Sequence, residues 1–404
     1  MPAVPTADPS RRRALAPRVV TARNRFRCRN EPEGLLRRSR TAAAVRVASI
    51  VGARPQFIKA AAVSKALRRR HQEVLIHTGQ HYDAALSDAH FRSLRIPRPD
   101  VNLGVGSGSH GEQTAWLLTK IERTLADARP EIVLVYGDTN STLAGALATA
   151  KLQLPLAHVE AGLRSFNRTM PEETNRVVAD HLSTLLFAPT ETAVTNLTRE
   201  GITKGVHNVG DVMYDVALAT ERQARTRAIR RRLRLSPQGY LLATIHRPAT
   251  TDDRHELGRI LEAFSLAVEP VVFPVHPRTR KMIRQFRLDS KVGSNVRLLD
   301  PLDYLDFRAL LIDARLVLTD SGGVQKEAYW AGVGCVTLRS ETEWVETVAD
   351  GWNRLVGTDV DRILKAIRAS RPRGARGAAF GDGHAAEKIV AILEAAPGGS
   401  AKPE

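Results

Sequence analysis

Short apolar runs recur along this chain, each followed by a turn rich in glycine, acid or histidine and then by a stretch of helical periodicity. They include VRVASIV at Val45–Val51, EVLIH at Glu73–His77, IVLVY at Ile132–Tyr136, Pro155–Val159, Leu185–Ala188 and LLATI at Leu241–Ile245. Val271–Val275, Val296–Leu299, Leu316–Leu318 and Cys335–Leu338 continue the series. Runs without polar alternation are strands buried on both faces. Strand alternating with helix makes βαβ units and parallel sheets. A chain of 404 residues is too long for one ordinary domain, and 43% apolar content suffices for two cores. The pattern predicts an α/β protein of two Rossmann-like domains facing a cleft. Residues 45–210 form the first domain, to which a helix at 383–395 returns, and residues 211–370 form the second. Val206–Asp211 and a polar helix around Tyr214–Arg234 make the crossing, and a further helix is expected at Asp83–Phe91.

Charge is unevenly spread. Of the net +17, residues 1–44 carry eleven Arg against Asp8, Glu31 and Glu33, a net of +8. That stretch has no apolar face and reads as a disordered basic extension without a folded role. Its Arg-rich, acid-poor composition resembles an organelle transit peptide, and it lacks the apolar core of a secretory signal. Only Phe26 interrupts the basic run, too little for base stacking, so no nucleic-acid partner is expected. Cys28 and Cys335 offer no disulfide framework, which fits a reducing cytoplasm. No apolar run reaches the ~18–20 residues that span a bilayer, and no membrane partner is expected. There is no Cys pair, no HExxH and no histidine cluster, so no metal is expected.

Ligands in open parallel sheets bind beyond the strands' carboxyl ends. Arg54, Gln80, Asp138 and Glu160 stand there in the first half, and His246, His276 and Ser321 in the second. After Leu316–Leu318 comes Thr319-Asp320-Ser321-Gly322-Gly323, then a helix closed by Gly332. Ser321 is a natural N-cap, Gly322 and Gly323 admit a ligand close to the backbone, and the helix start favours a phosphate. Position 324 is Val324, so no capping box forms. Glu327, deeper in the helix, suits the hydroxyls of a ribose. Asp138 and Glu160 end neighbouring strands, which would set two carboxylates near each other for acid–base work. Asp138 is also a candidate cap for the following helix. Glu172 and Glu173 follow Pro171 at a helix start, where either one would also complement the dipole. Glu160 has no capping role, because Ala161-Gly162-Leu163 opens no helix. Arg54 and Lys59 are candidate phosphate clamps. The run Gly106–Gly111 matches G-x-G-x-x-G, but only Val101-Asn102-Leu103 precedes it, too weak a strand for a dinucleotide fingerprint.

Six motifs appear in order: GARPQFIK at Gly52–Lys59, TGQH at Thr78–His81, GDTNSTLAGALA at Gly137–Ala148, HVEAGLRSFNRTMPEETNR at His158–Arg176, IHRP at Ile245–Pro248 and TDSGGVQKEA at Thr319–Ala328. Together they closely resemble the non-hydrolysing UDP-N-acetylglucosamine 2-epimerases, over about Val45 to Ala395. The resemblance implies a glycosyltransferase-B-like pair of domains, a homodimer, and no nicotinamide or other cofactor. It implies reversible conversion of UDP-N-acetylglucosamine to UDP-N-acetylmannosamine, with UDP leaving by anti-elimination across C1 and C2 and adding back. It assigns Asp138, Glu160, Glu172 and His246 to acid–base and intermediate-stabilising roles. Arg54, Lys59, Phe307, Ser321, Gly322, Gly323 and Glu327 fall at its nucleotide-binding positions.

The chain departs from that family at named places. Ala53 stands where Thr is usual, keeping the turn and losing a hydroxyl. Gly106–Gly111 and Tyr82 stand where many bacterial members bind an activating second substrate. Trp344 and Leu302 replace polar residues that touch substrate in some members, leaving room for another UDP-sugar such as a 2,3-diacetamido uronic acid. The competing readings are a glycosyltransferase of the same shape, which needs an acceptor and releases UDP, and a hydrolysing relative.

Overall fold

The computed structural model describes residues 44–80, 93–369, 372 and 374–395. The basic extension and the helix expected at Asp83–Phe91 lie outside them. Two parallel sheets carry the chain. The first contains β1 (Arg46–Val51), β2 (Gln72–His77), β3 (Val101–Asn102), β4 (Ile132–Tyr136), β5 (Leu156–Val159), β6 (Leu185–Ala188) and β7 (Val206–Asn208). The second contains β8 (Leu241–Thr244), β9 (Val271–Pro274), β10 (Val296–Leu299), β11 (Leu316–Thr319), β12 (Gly334–Thr337) and β13 (Asn353–Leu355). The strand orders are β3-β2-β1-β4-β5-β6-β7 and β10-β9-β8-β11-β12-β13.

Each order reverses direction once, between β1 and β4 and between β8 and β11. Ile50 is in register with Val135, and Thr244 with Thr319. Such switch points open a crevice at the strand ends. The segments that leave them are Gly52–Arg54 and Gly137–Asp138 in the first sheet, and His246 and Asp320–Ser321 in the second.

The apolar runs form strands because both faces of each sheet are covered. Val47, Leu134 and Ala157 belong to one core cluster of the first sheet, and Ala48, Val133 and Leu156 to another. Leu241 and Leu318 lie in one cluster of the second sheet, and Leu242 and Val317 in another. The helix Ala385–Ala395 returns to the first sheet, burying Ala386, Ile389 and Leu393 in the cluster that holds Val47 and Leu134. The Asp215 carboxylate caps its start by accepting from Ala385 N at 3.1 Å and Ala386 N at 2.8 Å. The polar stretch before β8 is two helices, Val212–Arg225 and the short Ile229–Arg232, where the sequence suggested one. A further apolar cluster, including Ile58, Met213, Trp330, Trp344 and Phe380, draws residues from both halves.

Two short features depart from the sequence reading. Gln80 does not face the cleft: its side-chain oxygen accepts from Ser141 N at 2.9 Å, satisfying an orphan donor of the helix Asn140–Lys151. The Gly106–Gly111 run follows a two-residue edge strand. Ser109 in it caps the helix His110–Ala128 with Glu112 as its capping-box partner.

Candidate active site

The site is assembled by two ion networks that join strand ends of the two sheets. The first is centred on Glu160. The chain turns sharply after β5, where Glu160 N and Ala161 N both donate to Phe187 O at 3.1 and 3.2 Å. Glu160 takes φ +73°, a left-handed conformation unusual for a non-glycine residue. Strain of this kind persists where the surroundings hold it, commonly at functional sites. What holds it here is charge. Lys59 Nζ, from the helix Arg54–Leu67, pairs with Glu160 Oε2. Lys326 Nζ, from the helix Gly322–Ala331 of the other half, donates to Glu160 Oε1 at 3.0 Å. Lys326 also pairs with Asp211, and its ammonium sits 3.7 Å from the centroid of the Trp344 ring. Burial alone would raise the Glu160 carboxyl, but the Lys326 and Lys59 ammoniums outweigh it and hold the group well below its ordinary value. Glu160 is therefore a standing anion. Lys59, read from sequence as a phosphate clamp, is buried and committed to Glu160.

The second network starts at Asp138. Thr139, not Asp138, caps the following helix by accepting from Thr142 N. Asp138 is instead paired with Arg176. Arg176 lies 3.7 Å from Glu343 Oε1 across the cleft, and Arg247, next to His246, lies 3.5 Å from the same oxygen. Arg339 completes the group with contacts of 3.1 and 3.2 Å to the two Glu343 oxygens. Burial opposes ionisation of Glu343, yet Arg247, Arg339 and Arg176 lower its pKa to about 2. Asp138 and Glu160 thus leave adjacent strands but belong to separate networks rather than forming one carboxylate pair. Each has nearer cationic partners.

The two glutamates after Pro171 separate cleanly. Glu173 is buried and accepts from Ser165 N at 3.0 Å, Ser165 Oγ at 2.8 Å and Phe166 N at 2.9 Å. It pins the loop between Glu160 and the helix Pro171–Leu182. Glu172 is half-buried and makes none of those bonds, so it is the one able to meet a ligand.

His246 follows β8. Asp320, fully buried after β11, accepts from His246 N at 3.0 Å and Arg247 N at 2.9 Å, and its Oδ1 lies 3.5 Å from His246 Nδ1. The imidazole stacks obliquely on His276 at 5.9 Å, and the ring is one-third exposed. His276 itself caps the helix Pro277–Gln285 through Arg278 N. Ser321 occupies the N-cap of Gly322–Ala331 but makes no side-chain cap bond, so its hydroxyl is not committed to the helix start. A Cβ on Gly322 would meet Trp344 Nε1 at 2.8 Å, which explains why no side chain fits there.

Deeper along that helix, burial raises the carboxyl of Glu327, against the pull of Arg308 at 3.5 Å. Arg54 at the start of the first helix also feels Glu327. Phe307 is half-buried beside Arg308 on the helix Tyr304–Asp313. Arg54 and Arg308 thus both act on Glu327 of the helix that begins with Gly322 and Gly323, and Phe307 packs against the same apolar cluster as Val324 of that helix. Gln56 compensates for Ala53 at the helix start: its side-chain oxygen accepts from Gly52 N at 2.7 Å and Ala53 N at 3.0 Å.

Sequence reasoning did not single out Arg176, Asp320 or Lys326, although each lies inside a quoted motif. Glu343 and Asp211 carried no signal. Among the described residues no group of His, Cys, Asp and Glu side chains is arranged to hold a metal ion.

Comparison with known proteins gives the family and the fold. The family model for UDP-N-acetylglucosamine 2-epimerase matches residues 65–394. A UDP-N-acetylglucosamine 2-epimerase homolog of Methanococcus maripaludis is 52% identical, covering 86% of this chain and 99% of the relative. A UDP-2,3-diacetamido-2,3-dideoxy-D-glucuronate 2-epimerase of Pseudomonas aeruginosa is 46% identical with the same coverage. The crystal structure of Methanocaldococcus jannaschii UDP-GlcNAc 2-epimerase in complex with UDP-GlcNAc and UDP superposes with TM-score 0.82 at 40% identity, covering 86% and 99% of the two chains.

Proposed function

The chain belongs to the UDP-N-acetylglucosamine 2-epimerase family, and from that premise we propose how its residues divide the work. It is an epimerase that interconverts UDP-N-acetylglucosamine and UDP-N-acetylmannosamine. The observation that supports a single reaction centre is that both ion networks reach one helix, Gly322–Ala331: Lys326 in its middle carries the first, and Glu343 of the second lies 3.8 Å from where a Cβ of Gly322 would stand.

The diphosphate lies against Ser321, Gly322 and Gly323, where helix N–H groups and the helix dipole complement its charge, with Arg54 as the nearby cation. Glu327 and Phe307 take the nucleoside end. UDP leaves C1 as a proton leaves C2, giving a 2-acetamidoglucal; re-addition of UDP and a proton inverts C2. A C2–H is weakly acidic, so proton transfer needs a positioned group. Glu172, half-buried at the helix start, and the one-third exposed His246, oriented by Asp320, exchange protons. Glu160 stays ionised and sets negative charge against the positive charge developing at C1 as UDP departs. Asp138, fixed by Arg176, holds the opposite wall. The protein works as a homodimer in the cytoplasm.

The P. aeruginosa relative named for a glucuronate substrate raises the alternative of a C6 carboxylate. Arg176, Arg247 and Arg339 are already neutralised by Asp138, Glu173 and Glu343, which favours a neutral hydroxymethyl group. The roles are tested with Glu160→Gln and isothermal titration of UDP. Turnover should be abolished with UDP affinity near wild type. Retained turnover with weakened UDP would overturn the assignment of Glu160 to chemistry.

A further inference from the structure

Lys326 is fully buried in the middle of the helix Gly322–Ala331, an unusual place for an ammonium. A buried charge persists only when it is paired. Lys326 has two carboxylate partners, Glu160 from the first half and Asp211 between the halves, and Trp344 and Trp330 flank its Nζ at 3.7 and 5.5 Å. Glu327, next to it in the helix, adds a weaker attraction on its own account. Glu160 in turn is faced by Lys59, Lys326 and the Asp211 carboxylate. The group is therefore two ammoniums against two carboxylates, closed off from solvent.

The same helix presents both the phosphate-binding start at Ser321 and, one turn later, the cation on Glu160. A nucleotide seated at Ser321 and the carboxylate it reacts beside are thus held by one rigid element. We infer that Lys326 is a positioning residue for the epimerisation, which fixes the Glu160 carboxylate in its ionised form and its orientation toward the sugar when the two halves meet. This rests on the reading that Glu160 serves the chemistry. Lys59 alone would orient one oxygen; Lys326 fixes the second, so the carboxylate plane cannot turn.

The test is the pH profile of kcat/KM for UDP-N-acetylglucosamine, measured on the full chain for Lys326→Met, Asp211→Asn and the double variant. Met matches the length of the lysine stem, and the double variant keeps the buried charges balanced, so it folds even where Lys326→Met does not. An opposite charge at such distances lowers a carboxyl by about 1–3 pH units. Removing Lys326 should therefore move the acid limb up by about that much. Burial raises the Asp211 carboxyl above its ordinary value, so it is already neutral where Glu160 titrates; Asp211→Asn alone should leave the limb in place, and the double variant should follow Lys326→Met. UDP affinity by titration should stay within about threefold of wild type, since Lys326 does not face the diphosphate. A merely structural role predicts loss of stability with an unshifted limb. A folded Lys326→Met or double variant whose acid limb does not move would overturn the inference. Activity retained by Glu160→Gln would instead remove the reading on which it rests.

Discussion

Glu343→Gln tests whether charge holds the two halves together. Glu343 is 5% exposed and faces three guanidiniums contributed by both halves: Arg176 from the first, Arg247 and Arg339 from the second. Its carboxyl pKa falls from 4.5 to about 2 on folding. Each unit is worth about 1.4 kcal/mol, so the ionised form gains roughly 3 kcal/mol in the folded state. Glutamine keeps the shape and removes the charge. Arg176 retains Asp138 and Glu173, and Arg339 retains Glu341 at 3.7 Å, but Arg247 loses its carboxylate. The expected loss is therefore about 3 kcal/mol, at the lower end for breaking a buried pair. The assay is urea unfolding of wild type and variant at several pH values. The sign follows from the depressed folded pKa: the contribution is complete above about 4.5 and is lost as pH falls toward about 2. The gap between the two proteins should be constant from pH 8 to pH 6, at roughly 3 kcal/mol, and should narrow below about pH 4.5. A variant as stable as wild type at pH 7, or a gap that does not narrow in acid, would refute the reasoning.

Other positions give sharper local outcomes. Gly137 has φ +61°, and a Cβ there would approach Lys59 Nζ to 2.7 Å and Glu160 Oε2 to 3.3 Å. Gly137→Ala should cost roughly 1–2 kcal/mol in backbone strain and displace the Lys59–Glu160 pair, so turnover should fall more than UDP affinity in parallel assays. Asp215→Ala removes the cap on the helix Ala385–Ala395 and should cost roughly 1–2 kcal/mol, with hydrogen exchange rising first in that helix. Burial raises the Asp215 pKa to about 6 despite the two N–H donors, so stability falls as pH rises from about 4 through 6; Asp215→Asn should flatten that slope in acid-range unfolding. Ser321→Ala should weaken UDP binding by roughly tenfold through one lost hydrogen bond to an anion, leaving stability unchanged by calorimetry.

Much of the architecture was legible because the strands are buried on both faces and carry no polar alternation. IVLVY and the Leu316–Leu318 run were readable for that reason. The edge strand Val101–Asn102 and the break between Val212–Arg225 and Ile229–Arg232 were not, since neither carries a periodic signal long enough to stand out. Residues such as Glu160 and His246 do leave the sheets just past strand ends, because topology fixes where such residues go, but Gln80 turns to the helix Asn140–Lys151 instead. Partner choice did not follow from topology. Glu160 and Asp138 read as a facing pair, and only the positions of Lys59, Lys326 and Arg176 show why they are held apart. Composition and spacing did not separate Glu172 from Glu173; only the resemblance singled out Glu172, and the Ser165–Phe166 loop claims Glu173. Ser321 has the residue type of a cap without the bond. Glu343 lay outside every motif, because its role depends on three arginines drawn from distant segments.

The most direct test of the account incubates the full chain with UDP-N-acetylglucosamine in D₂O and follows the sugar by proton NMR. The manno epimer should appear with deuterium at C2, from cleavage of the C2–H bond and return of a deuteron from solvent. An epimer that keeps its original C2 hydrogen, or steady loss of UDP without any epimer, would contradict it.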